Sequence, residues 1–190
     1  MIDLIAEAVR LGTFLQSRGW RYCFIGGLAV QHWGEPRLTR DLDVSLLAGF
    51  GGESVFVDAL LSQYAPRIPA AREFALSRRV LLLRTAAGIG IDVSLAAIPY
   101  EERAVSRAVS VEMLPGSAVR LCSPEDLIVM KMFAGRDTDF RDVRSVIVRQ
   151  QPHALDWPYI EENLGELAAA KDDPALLSKL RQIRDSVTGA

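Results

Sequence analysis

The tetrapeptide Asp-Val-Ser-Leu occurs twice in this sequence, at residues 43–46 and again at residues 92–95. In both copies aliphatic residues alternate with a carboxylate and a serine, the period of two that is typical of a β-strand with one buried and one polar face. We therefore predict a strand at each copy. If the two strands are neighbours in one sheet, the carboxylates of Asp41, Asp43 and Asp92 converge on its polar face.

Three converging carboxylates need a partner. They repel one another and raise one another's pKa values unless a divalent cation lies between them. Oxygen ligands suit Mg²⁺, which usually takes one or two protein carboxylates and completes its coordination with water and substrate phosphates. The pattern therefore predicts a site for a metal and a phosphate. The alternative is that the same acids line the solvated face of a half-exposed sheet.

A glycine pair, Gly26-Gly27, lies between a predicted strand at 21–25 and a predicted helix at 28–33. Glycine lets backbone N–H groups and the positive end of a helix approach a phosphate closely. A nucleoside triphosphate held at this turn, and bridged by Mg²⁺ to the aspartates, would use both features. The alternative is a tight turn that binds no ligand.

Helical periodicity, capping residues and turn signals divide the rest of the chain. Helices mixed with hairpins favour an α/β (α+β) fold, in which a small mixed β-sheet is flanked by helices, over a parallel doubly wound sheet. We predict a main domain over 1–150 and a C-terminal helical extension over 151–190, packed on the same unit. The other predicted elements are strands at 41–47, 76–85 and 89–96, a hairpin around Pro115-Gly116, and helices at 3–18, 53–64, 99–107, 124–132, 138–149, 158–170 and 174–186.

Composition limits the classes of function. The chain has 190 residues, of which 49% are hydrophobic and 24% charged, so one globular domain can bury a core without disulfides or metals. With 22 basic and 24 acidic residues, the net charge is −2. Such a chain has no general positive field for nucleic acid, so any bound anion needs a local site.

The cysteines and the apolar runs predict the compartment. Cys23 and Cys122 both lie inside apolar runs, which is typical of buried free thiols in a reducing cytosol. No apolar run reaches the length of about 18 residues that a membrane span needs, and the first residues carry acids rather than the basic start of a signal peptide. We therefore predict a cytoplasmic protein with no membrane partner.

The run Ile-Gly-Gly, thirteen residues, and then Asp-Leu-Asp-Val resembles the signature of the nucleotidyltransferase superfamily related to DNA polymerase β. The intervening segment is similar to the AbiEii/AbiGii toxin-like branch. Residues 123–143 also resemble that branch, with a lysine-bearing helix followed by an arginine and two aspartates, as do residues 155–160. The matching residues of the intervening segment are Ala29, His32, Gly34, Arg37 and Thr39.

This resemblance implies a nucleotidyltransferase fold and a Mg²⁺-dependent (or Mn²⁺-dependent) enzyme. Such an enzyme transfers NMP from an NTP, with ATP among the candidates, to a hydroxyl acceptor and releases pyrophosphate. The resemblance makes Asp41, Asp43 and Asp92 the catalytic metal ligands, with Asp92 also as the base. The toxin-like branch implies tRNA or another RNA, or a protein, as acceptor, and an antitoxin as partner. The implied nucleotide-binding residues are Gly26, Gly27, Arg37, Thr39, Lys131 and Arg136.

Two alternative functions stay open at this point. The chain also resembles small antibiotic nucleotidyltransferases that modify lincosamides or aminoglycosides, and its acidic composition suits such substrates. A non-catalytic nucleotide-binding module of a toxin–antitoxin pair is the second alternative.

The basic residues each have a structural alternative. Lys131 could reach a triphosphate or be a solvated surface lysine, and Arg37 could touch a phosphate, orient a carboxylate or be a loop arginine. Arg136 could belong to the nucleotide pocket, but we favour an ion-pair cluster with Asp139 and Asp142. An RNA acceptor would need a local basic patch, for which the candidates are Arg37, Arg40, Lys131 and Arg136.

Overall fold

The computed structural model describes residues 2–151 and 155–189. These residues form nine α-helices and one mixed sheet of seven strands, which confirms the predicted α/β (α+β) fold class. The strands are β1 (Tyr22–Ile25), β2 (Asp41–Leu47), β3 (Ala65–Pro66), β4 (Val80–Arg84), β5 (Gly90–Ala96), β6 (Val109–Leu114) and β7 (Ser117–Leu121). The helices are α1 (Ile2–Ser17), α2 (Gly26–Trp33), α3 (Glu53–Leu61), α4 (Ala71–Arg78), α5 (Pro99–Ser106), α6 (Pro124–Ala134), α7 (Asp137–Gln150), α8 (Trp157–Lys171) and α9 (Ala175–Thr188).

The strand order across the sheet is β3-β4-β5-β2-β1-β7-β6. Strand β2 runs parallel to β5, and β1 runs parallel to β7. The other neighbours are antiparallel, including the two predicted hairpins β4-β5 and β6-β7. The two Asp-Val-Ser-Leu segments are therefore neighbours in one sheet, which is the condition under which Asp41, Asp43 and Asp92 converge.

The chain divides into two compact units. The first unit, Met1–Leu28 with Leu38–Cys122, contains the whole sheet. The second unit, Ala29–Arg37 with Ser123–Ala190, contains helices α6 to α9. The domain boundary that we predicted after residue 150 stays a prediction.

Hydrophobic burial explains why β2 and β5 form the centre of the first unit. Every second residue of these strands is aliphatic and lies in the core, while the alternating residues face the opposite side. Helices α1 and α5 pack on strands of this sheet. The buried aliphatic residues, each at most 2% exposed, are Leu42, Val44, Leu46, Ile91, Val93 and Leu95.

The second unit begins with a capped helix, as predicted. The Ser123 hydroxyl accepts a hydrogen bond from the Asp126 N–H (3.1 Å), and Pro124 takes the first helical position of α6. Gly135 ends α6 with φ +72°, a backbone angle that favours glycine. Helix α6 packs against α7 and α8.

Cys23 and Cys122 are both buried, as predicted, and neither forms a disulfide with a residue that the structure describes. Among residues 2–151 and 155–189, no helix is long and apolar enough to cross a membrane.

Candidate active site

The three aspartates of the predicted metal site lie on one face of the sheet. In the parallel pair β2-β5, Asp43 is directly opposite Asp92, and Asp41 is opposite Gly90. Residues paired in register direct their side chains to the same side of a sheet, and so do residues two apart on one strand. The structure therefore places Asp41, Asp43 and Asp92 together on the side opposite the buried aliphatic layer. We call this side the carboxylate face.

The carboxylate face is open to solvent. Asp41 is exposed, and Asp43 and Asp92 are half-buried. Gly90 provides the room that Asp41 uses, because a Cβ at residue 90 would overlap the Asp41 carboxylate and lie 3.0 Å from its Cγ. Because residue 90 has no side chain, the carboxyl group of Asp41 can lie over β5.

One cation on this face was not predicted. Arg67 follows the short strand β3, and its guanidinium forms an ion pair with Asp92. The same guanidinium lies 3.9 Å from the Asp41 carboxylate. Arg67 therefore bridges two of the three predicted metal ligands.

Asp92 has a perturbed pKa. Burial raises it above the ordinary aspartate value, the Arg67 guanidinium opposes this rise, and the negative charge of Asp41 adds to it. The net effect is an increased proton affinity. A half-buried carboxylate with a raised pKa, on an open face, is a candidate general base.

The glycine pair is explained by close approach to two side chains. Gly26 has φ +60°, and a Cβ at this position would overlap the Asp43 carboxylate. A Cβ on Gly27 would overlap Thr39, whose own Cβ would lie at 2.7 Å. The Gly27 N–H donates a hydrogen bond to Asp43 Oδ2 (3.3 Å). The turn between β1 and α2 therefore lies against Asp43, which brings the first residues of α2 beside the carboxylate face.

Gly26→Ala is expected to destabilise the protein by about 2–4 kcal/mol. An alanine at positive φ costs about 1–2 kcal/mol, and the overlap with Asp43 adds at least about 1 kcal/mol. The control is Gly49→Ala, because Gly49 has φ +69° but a Cβ added there would meet no atom within 4 Å, so it reports the backbone term alone. Urea unfolding measures both variants. Equal losses for the two alanines would contradict the close approach of Asp43.

The other predicted nucleotide-binding cations lie in the second unit and are paired there. Lys131 is buried, with its side chain 9% exposed, and its Nζ lies 2.8 Å from Asp139 Oδ1 and 2.9 Å from Asp142 Oδ2. The alternative of a solvated surface lysine is therefore excluded. Arg37 binds Asp142 through two hydrogen bonds of 2.8 Å. Arg136 binds Asp139 through Nε (2.6 Å) and through its backbone N–H (3.2 Å).

These five residues form what we call the ion-pair cluster, in which three cations share two carboxylates. Burial alone would raise the pKa of Asp139, but hydrogen bonds from Arg136 and Lys131 outweigh burial and hold it below its usual value. The pKa of Asp142 is lowered in the same way by Arg37 and Lys131. The cluster that we favoured for Arg136 is present, and it includes Arg37 and Lys131 as well.

The oxygen ligands on the carboxylate face fit a divalent cation by their chemistry. Mg²⁺ needs only one or two protein carboxylates, and Asp43 and Asp92 are neighbours in register. Within the described part of the chain, no group of three or more His, Cys, Asp or Glu side chains is close enough to bind a metal as arranged. The guanidinium between Asp41 and Asp92 is the physical reason that we see for this arrangement.

Comparison with known proteins identifies the family. Residues 2–181 match a protein family described as nucleotidyltransferase of unknown function (DUF6036). The chain belongs to this nucleotidyltransferase family. The superfamily predicted from the Gly-Gly and Asp-x-Asp signature is thereby confirmed. The AbiEii/AbiGii branch within it stays a prediction.

Solved structures agree with the fold of this chain. An antigenic nucleotidyltransferase-like protein from Paracoccidioides brasiliensis is 20% identical, with a TM-score of 0.52, over 98% of this chain and 97% of its own. ANT(2″)-Ia in complex with adenylyl-2″-tobramycin is 14% identical, also with a TM-score of 0.52, over 90% of this chain and 96% of its own. Similarity at this level of identity supports the nucleotidyltransferase fold alone. A search of curated proteins finds no match.

Proposed function

We propose that this protein transfers NMP from an NTP to a hydroxyl group of RNA, in a reaction that depends on Mg²⁺ and releases pyrophosphate. The observation that carries the proposal is the register of β2 and β5, which puts Asp43 opposite Asp92 on an open face that also bears Asp41. The glycine turn at Gly26 lies against this face. These are the parts that phosphoryl transfer at a metal-bound triphosphate requires.

The carboxylates of Asp41, Asp43 and Asp92 would hold the divalent cation. When bound, Mg²⁺ neutralises the charge that develops on the attacking and leaving oxygens. Asp43 is oriented for this role by the Gly27 N–H, which donates to its Oδ2. Mn²⁺ prefers the same oxygen ligands and should substitute for Mg²⁺.

Asp92 would accept the proton of the attacking hydroxyl group. Its raised pKa gives it a higher proton affinity than an ordinary surface aspartate. The Gly26-Gly27 turn and Thr39 would receive the triphosphate. Nucleotide binding by Arg37, Lys131 and Arg136 stays a prediction, since the contacts that they make here are with Asp139 and Asp142.

An arginine-rich helix face favours RNA as acceptor. Arg141, Arg144 and Arg149 lie on the exposed side of α7, and neither Arg141 nor Arg144 forms an ion pair with any described residue. The three arginines line a surface pocket of about 560 Å³, together with one acid, Glu35, and with Pro36, Ser145 and Val148. Unpaired arginines suit phosphate groups, and a net charge of −2 makes such a local patch necessary. In the patch predicted from sequence, Arg37, Lys131 and Arg136 are already paired with carboxylates.

The experiment incubates the protein with each α-labelled NTP, Mg²⁺ and one of three acceptors: total tRNA, cell protein or an aminoglycoside and lincosamide panel. We expect label on RNA. The double variant Arg141→Gln/Arg144→Gln should weaken RNA labelling. It should also make the slope of the log RNA-binding constant against log salt concentration shallower by about one for each lost phosphate contact. Arg72→Gln/Arg78→Gln removes the same charge from α4 and should leave both unchanged.

The position of the label distinguishes the candidate acceptors from one another and from the non-catalytic alternative. Label on protein or on an antibiotic would replace RNA as acceptor and keep the nucleotidyl transfer. The absence of label with every acceptor would favour the non-catalytic alternative. The toxin-like branch, an antitoxin partner and a cytoplasmic location stay predictions.

A further inference from the structure

Arg67 is a cation on the carboxylate face that the sequence pattern does not predict. We propose that its guanidinium is a built-in counter-ion of the carboxylate face, which a divalent cation must displace from Asp41 and Asp92 in order to bind. The proposal rests on the proposed function, because it takes these aspartates as cation ligands. It assigns to Arg67 control over metal affinity.

The sheet explains why Arg67 reaches both aspartates. The Arg67 N–H donates to the Leu82 carbonyl (3.0 Å), which fixes its backbone beside β4. Leu82 is paired with Asp92, and Asp92 with Asp43. Arg67, Leu82, Asp92 and Asp43 are therefore cross-strand neighbours, one on each successive segment of the sheet. Its side chain spans β4 to pair with Asp92 on β5 and to approach Asp41 on β2.

The contacts of Arg67 are those of a competitor for the carboxylates. Its side chain is 28% exposed, so the guanidinium can leave the face without opening the core. It contacts the oxygens that a metal would need, and the two cations cannot occupy the same carboxylate oxygens together. A divalent ion carries twice the charge of the guanidinium, so it can win this competition at sufficient concentration.

The same face offers a matched control. Arg84 is paired with Gly90, which is paired with Asp41, so its side chain starts on the carboxylate face as well. Arg84 is exposed, and it forms no ion pair or side-chain hydrogen bond with any residue in the described ranges. Removing its charge therefore tests long-range electrostatics without removing a carboxylate contact.

The experiment measures the binding of Mn²⁺ alone to the full chain, by electron paramagnetic resonance and by calorimetry, with no nucleotide. We expect Arg67→Gln to tighten the Kd for Mn²⁺ about ten-fold or more, because a full charge at contact distance is removed. Arg84→Gln should change it by less than about two-fold, because exposed charges are screened by salt. Arg67→Lys keeps the charge but loses the guanidinium, whose two terminal nitrogens contact two carboxylates. The Kd of this variant should therefore lie between those of Arg67→Gln and the wild type.

The outcomes separate this proposal from the proposed function. If the wild type binds Mn²⁺ and Arg67→Gln has the same Kd, the counter-ion role of Arg67 is overturned and the metal site is not. Equal tightening by Arg67→Gln and Arg84→Gln also overturns it, because charge without contact would then explain the result. No Mn²⁺ binding by any variant overturns the metal site of the proposed function, and the counter-ion with it.

Discussion

Asp43→Asn is expected to lower the rate of NMP transfer by roughly 10³-fold or more. Asparagine keeps the shape of the side chain and an oxygen that can accept the Gly27 N–H, which lies 3.3 Å from Asp43 Oδ2. It removes the negative charge that would hold the divalent cation opposite Asp92. The measurement is the initial rate of incorporation from an α-labelled NTP, at a Mg²⁺ concentration that saturates the wild type.

The matched control is Asp58→Asn. Asp58 is an aspartate of α3 in the same unit, and it forms an exposed ion pair with Arg72 (2.6 Å). Exposed pairs contribute little, so this variant should keep its rate within about two-fold of the wild type. Asp43→Asn removes one of three like charges on a single face, so its Tm should stay equal or rise. A normal rate in Asp43→Asn, or a loss of rate that a lower Tm explains, would contradict the proposed site.

The central part of the sheet could be predicted because two physical signals coincide there. Alternating aliphatic residues define strands with one buried face, and the polar residues of both copies must then share the other face. The register that pairs Asp43 with Asp92 was not predictable from this pattern, because a shift of two residues would keep the same residues on each face. The pairing of β4 with β5 was predictable, because a short turn signal separates two apolar runs.

Arg67 could not be predicted, because the elements around it carry no periodic signal. Strand β3 is only two residues long and includes Pro66. Helix α4 begins after Ala70, which has φ 52° and provides no side-chain cap. Neither an apolar run nor a start signal marks this region, so its pairing with β4 depends on tertiary contacts that the sequence pattern does not contain.

The sequence around Lys131 indicates that this lysine could be buried, but it does not identify the partners of its charge. Lys131 lies between Met130 and Met132 on a mostly apolar helix, which is consistent with burial as well as with a reach toward phosphate. Its carboxylate partners Asp139 and Asp142 come from the next helix, after the stop at Gly135. The spacing of three residues predicts that both aspartates lie on one side of α7. It does not predict which cations form ion pairs with them.

Lys131→Met is expected to destabilise the protein by about 2–4 kcal/mol at pH 7, because two buried charge-assisted contacts are lost. Methionine matches the apolar stem of lysine but leaves two buried carboxylates without the cation that they share, and each then keeps one arginine partner. The side chains of Asp139 and Asp142 are 1% and 5% exposed, so water cannot replace the lost partner. Urea unfolding measures the loss. Arg72→Met, which breaks the exposed pair with Asp58, is the control and should cost less than about 1 kcal/mol.

The pH dependence distinguishes a lost charge partner from a packing defect. In the wild type, Asp139 and Asp142 have pKa values below the usual 3.8, so the stability that they contribute is present above that pH and is lost as the pH falls through their folded-state values. Protonated carboxyl groups no longer need Lys131. The difference between the wild type and Lys131→Met should therefore be largest near pH 7 and should shrink below about pH 4. A loss smaller than that of Arg72→Met, or a difference that does not depend on pH, would contradict the assignment of Lys131 as the shared counter-ion of the cluster.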